Sequence, residues 1–408
     1  MPLSAKVGKF ECPAAGGSSA VTGVGFQPKA LILWCANLTA DGTAIDATNG
    51  IGFGTGGAAE YAIGSNADDA AGVTSDVSQA VSNAGIVYVP NVAATARILE
   101  ADLTSLDSDG FTLNWTTVIS GVDIHYLALG GASLTNALAG NFVGNNLTGN
   151  QGVTGVGFQP DVIIFLSGGL ITLPNDTTGT RNSIGAAVSS TQRWSMNIWN
   201  QDAVALTNAG RRLYAAQCLL TSSSAGTVTG LADFVSFDTD GFTVNWSNAD
   251  NTNHGYLALK GVNAKVGTIT QKTSAGSQAT TGMGFAPTAV IFASHGSTDS
   301  VGTLVDDLLL SFGATTGAAN EGVVWAGDND NVLPTTADCA SSTASVIQLR
   351  EPGTTTINAE ADTTSLDADG WTLNWSTADA TARVIGYVAL GPAGSALAPQ
   401  GAMTGVGQ

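Results

Sequence analysis

Residues Val21–Pro28 read VTGVGFQP, and the same eight letters return at Val153–Pro160, 132 positions on (153 − 21). A near copy, TTGMGFAP, stands at Thr280–Pro287, a further 127 positions along (280 − 153). Self-similarity at a fixed long period is the signature of tandem folding units. The likeness spreads outward from the phrase. It is preceded by Gly8-Lys9-Phe10, Gly140-Asn141-Phe142 and Gly267-Thr268-Ile269, and followed by the apolar runs KALILWCA, DVIIFLSG and TAVIFASH. The back halves match more closely: ADLTSLDSDGFTLNW ends at Trp115, ADFVSFDTDGFTVNW at Trp246 and ADTTSLDADGWTLNW at Trp375. Each is followed by HYLALGG, GYLALKG or GYVALGP. The chain therefore divides into units 1–131, 138–261 and 265–392, with a Gly/Ala/Pro-rich arm expected at 393–408.

The repeated letters read as fold chemistry. Gly23 and Gly25 permit backbone angles or close approaches that a Cβ would block. Phe26 is a candidate core anchor, and Pro28 suits the first residue of a strand, where a missing donor is tolerated. A ligand-binding glycine loop is the functional alternative for the phrase. Asp109-Gly110 signals a tight turn. After it, Phe111, Leu113 and Trp115 alternate with Thr112 and Asn114, the period of a half-buried strand. The run Tyr126–Gly130 is apolar on both faces and belongs in the middle of a sandwich. Short strands, Gly-rich turns and no convincing helical period predict an all-β protein of three tandem homologous β-sandwich domains, jelly-roll-like in connectivity. The connections near 132–137 and 262–264 are short, so the units are fixed neighbours, either closed into a pseudo-threefold cluster or drawn out as a rigid rod.

Composition excludes several function classes. Of 408 residues only 11% are charged, and the formal charge is 13 − 32 = −19. Such a chain repels phosphate backbones and anionic membranes, so neither nucleic acid nor a membrane is an expected partner. No apolar run is long enough for a membrane span, and MPLSAKVGKFEC lacks a signal-peptide core, so synthesis in the cytoplasm is expected. Cys12, Cys35, Cys218 and Cys339 show no CxxC spacing and read as reduced, buried small hydrophobes.

The search for chemistry yields few candidates. His125, His254 and His295 do not share one repeat position and read as packed or solvated imidazoles. No HExxH, P-loop or GxSxG is present. Gly52-Phe-Gly54-Thr-Gly56-Gly57 fits GxGxxG but opens no helix within a βαβ unit, so no dinucleotide cofactor is expected. The recurring acids are Asp102, Asp107 and Asp109, then Asp233, Asp238 and Asp240, then Asp362, Asp367 and Asp369. Their D-x-D-G spacing suits turn capping; a Ca²⁺ loop or paired glycosidase carboxylates are the alternatives. Trp194, Trp199 and Trp325 lie in the divergent middles, either filling cores or stacking on sugars. No catalytic, cofactor or metal residue is assigned, and no enzyme activity is expected.

GVGFQPKALILW, a Gly/Thr/Ala-rich low-charge body and the DGFTLNW…YLALGG ending together resemble β-domains of structural proteins of tailed bacteriophages, over all three units. The resemblance implies a virion component, most readily a capsid decoration or head protein acting by surface contact. Other virion proteins, major capsid or tail, would be its partners, with self-association as a further option. The alternative is a tail fibre or a carbohydrate-binding adhesion protein that meets a host glycan. The chain lacks the heptads and collagen-like repeats of long fibres.

Overall fold

The computed structural model describes residues 2–354 and 356–394, in which every regular element is a β-strand and the strands form six antiparallel sheets. Of the arm expected at 393–408, residues 395–408 lie outside the described residues. The first third contributes β1 (Leu3–Glu11), β2 (Gly17–Thr22), β3 (Pro28–Cys35), β4 (Gly42–Ile45), β5 (Asn49–Gly54), β6 (Glu60–Ala67), β7 (Val77–Ser82), β8 (Val87–Pro90), β9 (Arg97–Asp107), β10 (Gly110–Thr117) and β11 (Asp123–Gly131). Six of them form a large sheet, β1-β11-β3-β5-β6-β7, and four a small one, β2-β10-β9-β8. The strands from Asn136–Val143 to Asn253–Lys260 repeat both orders, as do those from Val262–Thr270 to Val384–Pro392.

The two sheets of a set face each other. On β10, Phe111, Leu113 and Trp115 are buried and meet Leu31, Leu33, Tyr126 and Ala128 of the large sheet. Equivalent cores form around Phe242, Val244 and Trp246, and around Trp371, Leu373 and Trp375. Connectivity departs from the jelly-roll expectation. β3, β5, β6 and β7 follow one another within one sheet, and β8, β9 and β10 within the other, with β4 leaving the set. Tight turns such as Asp109-Gly110 join neighbours directly and build meanders, while β1, β2 and β3, and β10 and β11, alternate between the sheets as jelly-roll strands do.

The repeated phrase and the repeated aspartates turn out to be one device. Asp109 accepts the amides of Gly23 (3.1 Å) and Gly25 (2.5 Å), Asp240 those of Gly155 (3.0 Å) and Gly157 (2.6 Å), and Asp369 those of Gly282 (3.0 Å) and Gly284 (2.5 Å). Gly23 and Gly25 have φ of 80° and 90°, angles that cost a side-chain-bearing residue 1–2 kcal/mol or so. The carboxylate thus ties the loop before β3 to the β9–β10 turn. Phe26 lies half-buried over Gly130, and Pro28 opens β3 as expected.

Each large sheet is buried on its second face too, which explains strands without polar alternation, such as β6 and β11. Those second faces share a single central core. Ile32, Ile63 and Leu127 from the first third, Ile164, Met196 and Leu257 from the second, and Ile291, Val324 and Val388 from the third all belong to it. The sheets are the walls of a three-sided prism, and strand exchange seals its corners. β4 pairs with Ala337–Ser342 of the third set, Asn175–Thr178 of the second set pairs with β7, and Val305–Asp306 of the third set pairs with Ala209–Tyr214 of the second. The donors are equivalent strands, so the exchange runs once around and closes. It also covers a sheet edge that would otherwise offer unpaired backbone groups.

Side-chain volumes are complementary across the three internal interfaces. Tyr61 fills the space left by Gly255 and donates to the Asn253 carbonyl (3.2 Å). Trp194 covers Gly386, its Nε1 donating to the Tyr387 carbonyl (3.0 Å). At the third interface the sizes are reversed: His125 is the large partner, and Gly322 makes the room.

Candidate interaction surface

The prism has two unlike ends. At one lie the connections 132–135 and 261, the β5–β6 hairpin and its equivalents, and the Asp109-type turns. At the other lie the exchanged arms, 36–48, 168–182 and 296–307, and three loops, 68–76, 201–208 and 329–336. These loops interlock. Ala203 donates to the Ser75 carbonyl and Ser75 to the Val204 carbonyl, both at 2.9 Å. Asn331 and Thr207 repeat this with the Thr207 and Val332 carbonyls (2.8 and 3.2 Å), and Ala70 and Thr335 with the Thr335 and Ala71 carbonyls (2.8 and 3.2 Å). Ala70, Ala203 and Asn331 all sit in the left-handed region, at φ of 59°, 58° and 56°. The bonds crossing between units hold that strained geometry.

The hydroxyls of Ser75, Thr207 and Thr335 are buried and complete the clamp. They donate to the carbonyls of Gln201 (2.8 Å), Val332 (3.3 Å) and Asp68 (2.6 Å), and accept from the amides of Val204 (3.2 Å), Val332 (2.9 Å) and Ala71 (2.8 Å). Sequence reading missed this triad because it lies in the divergent middles; its one signal is a hydroxyl residue shortly before the next strand in each unit. Below it Asn200 donates to Asp328 at 2.5 Å, and burial pushes that carboxyl up to about 8, so it is held largely protonated at neutral pH.

The sequence candidates for chemistry do not come together into one site. His125, His254 and His295 are buried, and burial lowers all three: His125 to about 4, His295 to about 3. Each is held neutral, which removes an imidazolium acid at neutral pH. Asp107, Asp238 and Asp367 each accept two hydroxyls, from Ser105 and Thr112, Ser236 and Thr243, and Ser365 and Thr372, at 2.6–2.8 Å. Asp362 accepts from Asn374 (3.0 Å), and Asp233 pairs with Arg193 (3.2 Å). Two of the three repeated acids in each unit are therefore spent on the turn, while Asp102, Asp233 and Asp362 stand within strands, and among the described residues no trio of His, Cys, Asp or Glu is grouped to hold a metal. Gly52–Gly57 runs along buried β5 into its hairpin, with no helix after it. Trp194, Trp199 and Trp325 are buried, as are the other five tryptophans. The four cysteines are free and buried, as expected.

What remains exposed and distinctive is the arm end. Large apolar side chains stand in solvent there on the arms and loops: Ile45, Val73, Ile171, Leu206, Val301 and Leu304, with Val73 80% exposed. Val143 and Leu147 flank the same end, and Val235 is the one large exposed apolar residue away from it among the described residues. The six arm and loop segments also hold eleven acids (two in 36–48, three in 68–76, one in 168–182, one in 201–208, three in 296–307, one in 329–336) against one cation of their own, Arg181, although Arg97 and Arg211 of adjoining strands pair with two of those acids, Asp176 (3.4 Å) and Asp307 (3.9 Å). That is 11 − 1 = 10 of the 19 net negative charges. Large exposed apolar side chains gathered at one end of a body, rather than scattered over it, point to a contact surface.

No family model matches the chain, and no curated protein matches it. Among solved structures, that described as the crystal structure of Pseudomonas aeruginosa OccK5 (OpdH) aligns over 93% of this chain and 99% of that one, at 8% identity. Its TM-score of 0.10 carries no argument about fold or function.

Proposed function

We propose that the chain is a structural component of a tailed-phage virion, a head or capsid-decorating protein that acts by surface contact rather than by catalysis. It is built of three tandem homologous β-sandwiches and reaches the virion from the host cytoplasm. The carrying observation is the cyclic exchange of arms, which makes one chain a closed pseudo-threefold body. A body of that symmetry matches a local threefold of a capsid lattice, whereas an extended row of units would not. The resemblance of the repeated motifs to phage structural domains supplies the virion, and the closed prism favours the head over a fibre shaft. The adhesion alternative drew on exposed tryptophans, and Trp194, Trp199 and Trp325 are buried.

The test is quantitative mass spectrometry of purified particles, followed by cryo-electron microscopy. A copy number in fixed ratio to the major capsid protein, with density on threefold positions, is expected. Absence from washed particles overturns the reading.

A further inference from the structure

We propose that the arm end is the docking face, and that its occupant is a positively charged protein surface presenting apolar sockets around a local threefold axis. This rests on the virion reading and adds to it which end binds and what chemistry it meets. Three observations converge. Among the described residues, six of the nine large exposed apolar side chains stand on the arms and interlocked loops. Those same segments hold 10 of the 19 net negative charges. And the clamp of Ser75, Thr207 and Thr335, with its six backbone hydrogen bonds, holds the loops in one shape, so little ordering cost falls on binding.

The opposite end is different in kind. Its lysines are tied to the chain: Lys29 donates to the Leu134 carbonyl (2.6 Å), Lys260 to Asp161 (2.6 Å), and Lys6 and Lys265 to the carbonyls of Gly23 and Gly282. Among the described residues, none of the large exposed apolar side chains lies in its hairpins and connections.

Charge complementarity selects the occupant. Two copies meeting arm end to arm end would oppose like fields, and the same field turns away nucleic acid and anionic lipid. A cationic protein surface gains from it, most of all in the rate of encounter, while the apolar side chains supply contacts that desolvate on docking.

The experiment is co-sedimentation of the recombinant full-length chain with heads and with tails, separated from the phage that encodes it and stripped of the native copy. Variants are Val73→Asp/Leu206→Asp/Val301→Asp together, and Val235→Asp on the outer face of a small sheet. Near-UV circular dichroism and an unchanged Tm establish that each is folded; the single changes Val73→Asp and Val301→Asp stand in should the triple variant fail this. The expected result is a loss of head binding of at least 100-fold for the triple variant, at least 5-fold for each single one, and less than 2-fold for Val235→Asp. Raising salt from 50 to 500 mM is expected to weaken parent binding by about 10-fold. If the parent binds and the arm variants bind equally well, the docking face is wrong while the virion reading stands. If the parent binds neither heads nor tails, the virion reading falls and takes this one with it. Loss of binding on chelation with EGTA, or parent self-association that the triple variant abolishes, would replace the cationic protein with a bridging divalent ion or a second copy, and overturn the proposal.

Discussion

Gly322→Ala probes the reversed interface directly. A Cβ at 322 would lie 2.4 Å from Nδ1 of His125. The imidazole has nowhere to go: it stacks on Trp34 at 5.6 Å and 11°, and its Nε2 is 2.8 Å from the Ser341 hydroxyl. Overpacking of this sort costs about 1–3 kcal/mol, more than the roughly 0.5–1 kcal/mol that replacing a strand glycine would otherwise return. His125→Ala alone leaves a void and an orphaned hydroxyl, at about 2–4 kcal/mol. In the double variant the methyl added at position 322 enters space the ring has vacated, so the clash disappears. The two changes together are therefore expected to cost about 1–3 kcal/mol less than their sum. Guanidinium unfolding followed by tryptophan fluorescence measures all four proteins, and equal m-values establish a common transition. Gly152→Ala is the control, since the nearest non-neighbouring atom, the Thr243 hydroxyl, is 3.8 Å away. Additivity within about 0.5 kcal/mol would refute the volume-matching explanation.

Thr335→Val removes the acceptor for the Ala71 amide and the donor to the Asp68 carbonyl, and is expected to cost about 1–3 kcal/mol in the same unfolding assay, against near-neutral Thr74→Val, an exposed threonine of the same loop cluster, as the comparison. Glu60 and Glu321 are buried and raised from 4.5 to about 7. The folded state then binds more protons than the unfolded one, so their contribution to stability is lost as pH rises from about 4.5 to 7. The buried histidines act in the opposite sense, so the readout is a difference: Tm of Glu60→Gln/Glu321→Gln should gain on the parent across that window, and parallel profiles would count against the assignment. Asp240 and Asp369 are lowered by the glycine amides they accept. Their contribution is present above the ordinary value of 3.8 and disappears as pH falls through the lower folded value, so Asp240→Asn/Asp369→Asn should flatten Tm against pH below about 4.

The shared letters of the three units were legible because they act locally. Asp109-Gly110 announces its turn, Phe111-Leu113-Trp115 its buried face, and Pro28 its strand start. That the phrase and the aspartate serve each other across some 85 residues was not legible, since spacing says nothing of which loop meets which. Closure was hidden for a related reason. The arm strands are only two to four residues long and pair outside their own set, so Gly42–Ile45 carries no local signal of its partner Ala337–Ser342. The apolar run of β11 did hint that something covers its second face. The arm-end surface is written in the divergent middles, where no repeat draws the eye to Val73 or Val301.

Because every corner is sealed by a strand lent from the adjoining unit, covalent continuity is not what keeps the body together. An endoprotease that cut both 132–135 and 261 would yield three fragments, each gripping the next by its lent strand and all three sharing one interior. The nicked particle should run as a single species until denaturant is added, and what the peptide connections supply is the order of assembly: three unequal pieces, each delivered beside the one neighbour it fits.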